Sequence, residues 1–148
     1  MTAASKIPVS VLVVIHTPDL QVLLLERADH PGYWQSVTGS QDPDETLRDT
    51  ALREVEEETG LVANQFELYD CQQQNVYEIY PEWRHRYAPG VSINTEHVWR
   101  LELPIPLPIK LAQSEHLRYA WHPYSQAAQR CFSPSNAAAI LQLPQWLA

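Results

Sequence analysis

The chain has 148 residues, 45% of them hydrophobic and 19% charged, a balance that suits a folded globular protein and excludes a disordered one. A formal net charge of −8 argues against duplex nucleic acid as a partner, and no apolar run reaches membrane-spanning length. Met1 to Pro8 lacks the apolar core of a signal peptide, and Cys71 and Cys131 show no metal-ligand spacing, so a single cytoplasmic domain over residues 1–148 with reduced cysteines is expected.

Val9 to Ile15, broken only by Ser10, is short and β-branched and predicts a buried strand. Pro18-Asp19 marks a turn, and Val22 to Leu25 leads into Glu26 and Arg27 as the second strand of a hairpin. Arg27 is either an ordinary surface residue or, at the end of a buried strand, an anion ligand. Asp29 to Gly32 reads as a loop, and the Tyr33-Trp34 pair after it as an aromatic contact with the core. Thr38 places a hydroxyl just before the most informative stretch of the chain.

That stretch, Gly39 to Leu61, reads GSQDPDETLRDTALREVEEETGL. Thr46 is placed to cap a helix, with Asp49 closing a capping box, and Gly60 to end the helix in a left-handed turn. Leu47, Ala51, Leu52 and Val55 form an apolar arc. Beside it Glu54, Glu57 and Glu58 share an arc of about 100°. Crowding like charges costs about 0.2–0.5 kcal/mol per pair. The arrangement is therefore either a solvated acidic face or a set of oxygen ligands for a hard cation such as Mg²⁺. Arg53 is placed to orient a carboxylate or a loop carbonyl. Gly39 begins the loop before the helix, where backbone can approach closely.

Beyond the helix, Phe66 to Gln73 and Val76 to Tyr80 predict extended pieces. Pro81 and Pro89 bracket Glu82 to Ala88. If that segment is extended, Arg84 and Arg86 share one side, as a hook for a polyphosphate or a ring, or as charge guarding a strand edge. Thr95 to Leu103 has strand composition. The alternate prolines from Leu103 to Ile109 forbid a central strand and predict a loop or edge. Ser114 to Trp121 closes the sheet region. Glu115 and His116 within it are either surface residues or groups that complete a metal site across a cleft. Tyr124 to Cys131 and Ser135 to Leu143 predict short helices, Ser135 as a cap. The pattern is mixed α/β.

Gly39, Glu45, Arg53-Glu54-Val55, Glu57-Glu58 and Gly60-Leu61 stand at every fixed position of the Nudix box, and the stretch resembles that family. Asp44, after Pro43, replaces a glycine found in many members. The resemblance implies an α/β/α sandwich with a mixed sheet. It implies hydrolysis of a nucleoside diphosphate linked to another group, with Mg²⁺ (or Mn²⁺ in its place) held by the box glutamates. PVSVLVVI, YWQSVTGS, RHRYAPG at Arg84 to Gly90 and EHL at Glu115 to Leu117 narrow the resemblance, over nearly the whole chain, to the bacterial dihydroneopterin triphosphate pyrophosphatases of folate synthesis.

That branch implies release of pyrophosphate from dihydroneopterin triphosphate, with side activity on dATP. It implies metal contacts at Glu54, Glu58 and Glu115. Glu57 joins them as a candidate ligand, either Glu57 or Glu58 as general base, and Arg53 completes the catalytic set. Substrate contacts are implied at Lys6, Arg27, Thr38, Ile79, Tyr80, Pro81, Glu82, His116 and Ser135, with Arg84 and Arg86 as the hook. Trp34, Tyr80, Trp83 and Tyr87 are candidates to stack on a flat ring. The expected partner is a small triphosphate, pterin or nucleotide. The rivals are a nucleotide or dinucleoside polyphosphate pyrophosphatase and a catalytically silent Nudix-like binding module.

Overall fold

The β-branched run near the N-terminus forms β1 (Val9–His16), at the centre of the sheet. A computed structural model describes residues 5–148; the first part of the Met1 to Pro8 stretch lies outside them. After β1 come β2 (Gln21–Arg27), β3 (Trp34–Gln35), β4 (Val37–Ser40) and α1 (Leu47–Thr59). Then follow β5 (Glu67–Glu78), β6 (Ile93–Glu102), β7 (His116–Pro123), α2 (Tyr124–Arg130), α3 (Pro134–Leu141) and α4 (Leu143–Trp146).

The strand order is β3-β2-β1-β6-β5, with β4 paired to β1 and β7 to β2. β1 and β6 run parallel, from Val9 beside Thr95 to His16 beside Glu102, and the other pairings are antiparallel. The sheet is therefore mixed. β1 is apolar on both faces because both faces are covered. Val11, Val13 and Ile15 point one way with Leu23 and Leu25 of β2, onto Ala51 and Val55 of α1. Leu12, Val14, Val22 and Leu24 point the other way, onto Ala127, Ala128, Ile140 and Leu143 of the C-terminal helices. This is the expected α/β/α sandwich.

The helix signals hold. Thr46 Oγ1 accepts from Asp49 N at 3.1 Å, Asp49 Oδ2 accepts from Thr46 N at 3.3 Å, and Gly60 takes a φ of 76°. Asp44 also takes the left-handed conformation, with a φ of 66°. The proline segment is a loop. Its Leu107, Ile109 and Leu111 pack on the α1 side of the core, and Lys110 N donates to Thr59 O at 2.9 Å. Among the described residues, no helix is long and apolar enough to cross a membrane. Cys71 and Cys131 are free and half-buried, and burial pushes both thiols up to about 12.

Four local expectations change. Phe66 to Gln73 and Val76 to Tyr80 are one strand, β5, carrying a bulge between Asp70 and Gln73 where Gln72 turns to a φ of 54°. Gly39 lies inside β4, not in a loop. Pro81–Arg86 is a 3-10 helix, so Arg84 and Arg86 do not share a side as they would in a strand. Ser133, not Ser135, caps α3, and Ser135 falls after Pro134 inside the helix.

Candidate functional site

The box glutamates part company on α1. Glu54 is 9% exposed and Glu58 1%, while Glu57 faces outward and meets Arg53 at 3.4 Å. Spacing explains the split: positions four apart repeat one face, and Glu57 falls to the side. The Glu54 carboxyl lies so close to Gly39 that a Cβ built there would overlap it. Arg53 does both things expected of it. It donates to Glu54 Oε1 at 2.7 Å, to Glu45 Oε2 at 2.7 Å and to the Ser40 carbonyl at 3.0 Å. Glu45 also accepts from Asp42 N and Thr50 Oγ1, and its carboxyl is held down at about 2, chiefly by Arg53.

Glu58 is the site's anomaly. Both of its carboxylate oxygens are buried without a hydrogen-bond partner. Burial, then the Glu54 carboxyl beside it, pushes its pKa well above the ordinary carboxylate range. His116 Nε2 lies 3.6 Å from Glu58 Oε1. Burial, then Arg27, lowers His116 to about 4, so its ring is neutral near pH 7. Glu115 completes the group: one ligand atom from each of Glu58, Glu115 and His116 lies within 4.8 Å of the others. A desolvated carboxylate with no donor is costly, and a divalent cation removes that cost. Glu58 and Glu115 supply hard oxygen donors and His116 a ring nitrogen, so the residues present fit such an ion, with the buried Glu54 one turn away on α1.

Glu54, Glu58, Glu115 and His116 line a cavity of about 1110 Å³. Besides Arg53, the cationic residues Lys6, Arg27 and Arg86 line it as well. Asp29 gathers two of them, accepting from Arg27 at 2.7 Å through both oxygens and from Arg86 at 3.2 Å. The Lys6 pKa is lowered by desolvation first and by Arg86 second. Arg27 is therefore no ordinary surface residue; its guanidinium also lies 4.5 Å from the centre of the Trp83 ring. Tyr80, Trp83 and Phe132 form an aromatic wall.

Other expected contacts are distributed unevenly. Thr38, Ile79, Tyr80, Tyr87, His116 and Ser135 line the cavity. Thr38 Oγ1 already donates to Val11 O at 3.0 Å. Pro81, Glu82 and Arg84 are exposed and absent from the lining, and Arg84 instead donates to Ile79 O at 2.9 Å. Trp34 is buried in the other core, with Arg130 over its ring at 4.2 Å. Among the wall residues that were not foreseen are Asp29, Phe132 and Glu96. Glu96 did leave a signal, since Asn94, Glu96 and Val98 share one phase of β6 and all three are buried. An acid in the inward phase of a strand asks for a partner.

Comparison with known proteins gives a consistent result. A NUDIX domain model matches residues 6–143. The chain is 48% identical over 140 residues to the dihydroneopterin triphosphate diphosphatase of Escherichia coli, covering 93% of this chain and 92% of that protein. It is 42% identical to the protein of the same name in Haemophilus influenzae, covering 88% of this chain and 84% of the relative. The solved structure of the E. coli dihydroneopterin triphosphate pyrophosphohydrolase superposes with a TM-score of 0.88 at 47% identity, over 95% of this chain and 97% of that one.

Proposed function

We infer, for a chain that belongs to the NUDIX family, a hydrolase that releases pyrophosphate from dihydroneopterin triphosphate and leaves the monophosphate. The observation that carries the chemistry is Glu58, a carboxylate 1% exposed with neither oxygen partnered, lining a cavity with Lys6, Arg27 and Arg86. The pterin substrate is supported by the names of relatives that match at 42–48% identity over most of their length.

Glu54, Glu58 and Glu115 would hold the cation, Mg²⁺ with Mn²⁺ as a substitute, and His116 would stand beside it. A divalent ion at such a site neutralises phosphate oxygens and acidifies a water. The chain's own residues do the rest. Arg53 fixes the Glu54 carboxylate and the loop carbonyl of Ser40 in one arrangement. Lys6, Arg27 and Arg86 hold the phosphate oxygens, and Asp29 keeps the two guanidinium groups together. The proton of the attacking water passes to a carboxylate on the cavity wall. Glu57 takes no part in that transfer, since it faces away from the cavity.

The test is turnover of dihydroneopterin triphosphate in ¹⁸O-labelled water, with dATP and a diadenosine polyphosphate in parallel. Label in the pterin monophosphate, and a kcat/KM for the pterin above those of the nucleotides, is the expected result. A higher value for the diadenosine polyphosphate would move the assignment to a dinucleoside polyphosphatase. Glu58→Gln should lower kcat by about 10²- to 10⁴-fold with the circular dichroism spectrum unchanged. Near-normal turnover of that variant at saturating Mg²⁺ would refute the metal assignment.

A further inference from the structure

Three aromatic rings form a ladder that ends at the cavity. His30 stacks on Tyr33 with ring centres 3.4 Å apart and planes 12° from parallel, and Tyr33 stacks on Phe132 at 4.4 Å and 11°. Phe132, the last rung, lines the cavity. Tyr80 and Trp83 line it too, but each ring centre is 6.1 Å from Phe132 and each plane is turned from it, by 42° and 73°. Among the described residues, Tyr33 alone stacks on Phe132, so one face of the last rung has no stacked partner.

The rung is fixed in place. Phe132 N donates to Trp34 O at 3.2 Å, and Cys131 beside it forms a bridge with Trp34, so the segment is tied to β3. It also stands close to the cationic residues. Arg27 of β2 pairs with His116 of β7, and its guanidinium lies 4.5 Å from the centre of the Trp83 ring. Trp83 in turn meets Phe132 edge to face. His116, Arg27, Trp83 and Phe132 are thus successive neighbours in the cavity wall. A triphosphate held by Arg27, with its reacting phosphorus near Glu58, leads its ring toward the ladder.

A phenylalanine side chain has no hydrogen-bonding group, so it reads the face of a ring and not its edge. Every flat heterocycle offers such a face, whatever donors and acceptors stand around it. A platform of this kind takes a pterin and an adenine alike, in keeping with the side activity on dATP expected for this branch. We propose that Phe132, braced by Tyr33 and His30, is the stacking platform for the ring of the substrate, with Tyr80 and Trp83 as tilted walls beside it. Phe132 then touches the substrate, and Tyr33 acts through it as a positioning residue. The proposal deepens the hydrolase reading above and rests on it for the phosphate end of the substrate.

The experiment measures KM and kcat of the wild type, Phe132→Leu, Phe132→Tyr and Tyr33→Leu on dihydroneopterin triphosphate and dATP at saturating Mg²⁺. Inorganic pyrophosphate, the product that carries no ring, serves as inhibitor, and a thermal melt checks each variant. Phe132→Leu should raise KM about 5- to 100-fold on both substrates, with kcat little changed and the Ki of pyrophosphate as in the wild type. Phe132→Tyr keeps the ring and should restore KM. Tyr33→Leu should raise the same KM values by less, and it reads the ladder if Phe132→Leu fails to fold. An unchanged KM in Phe132→Leu would overturn the proposal and leave Phe132 a packing residue. A Ki for pyrophosphate that rose with KM would overturn it too, tracing the loss to the phosphate contacts. A wild type that turned over dATP but not the pterin would refute the pterin reading alone, since KM for dATP still reads Phe132.

Discussion

Asp29 shows how much one carboxylate can organise. It accepts two hydrogen bonds from Arg27 and one from Arg86, and these hold its carboxyl at about 2, below its ordinary 3.8, the Arg27 bonds contributing most. A carboxyl depressed by folding adds stability that is present above its unfolded value and is lost as pH falls through the folded one. Asp29→Asn should therefore melt at a lower temperature than the wild type at pH 7. The gap should close as pH is lowered from 3.8 to about 2. Melting curves at intervals across that range measure it, and a gap that stayed constant would mean that charge is not what Asp29 contributes.

At the level of the element, the junction of β4 and α1 makes the metal site possible. Gly39 lies in a strand, and its φ is not in the left-handed region, so alanine fits the backbone there. What alanine meets is the end of the Glu54 side chain. That end can swing away, at the cost of its contact with Arg53. Gly39→Ala should thus fold with a nearly unchanged melting temperature but bind the divalent ion about 10- to 100-fold more weakly. Titration calorimetry with Mn²⁺ reads this directly, and wild-type affinity would show that the close approach is dispensable. The capping residues, the apolar arc and the carboxylates of α1 were legible in the sequence, because each acts within a few residues of itself. Phe132 and Glu96 were not, because their partners Trp83 and Ser135 are remote in sequence; Asp29 has a near partner in Arg27, but its second, Arg86, is 57 residues away. The 3-10 turn at Pro81 hid for a different reason: Arg84 is held by the carbonyl of Ile79, a local bond that the charge pattern of RHRY does not announce.

For the molecule as a whole, β1 and β2 are party walls between two cores. Ile15 belongs to the α1 side and Ile140 to the side of the C-terminal helices, both fully buried. Loss of either core exposes a face of the same strands, so the two should melt together. Ile15→Ala and Ile140→Ala should each cost about 2–5 kcal/mol and move one calorimetric peak without splitting it. Two resolved peaks in either variant would mean that the faces unfold independently.

The parallel pairing of β1 with β6 has a consequence for how the protein is made. Val9 finds its neighbour only when Thr95 has left the ribosome, and α1, with its acidic side chains, is synthesised in between. Glu115 and His116 emerge later still. A nascent chain therefore carries the Glu54 and Glu58 carboxylates before Glu115 and His116 exist to face Glu58, and cation capture waits until nearly the entire polypeptide is free to close.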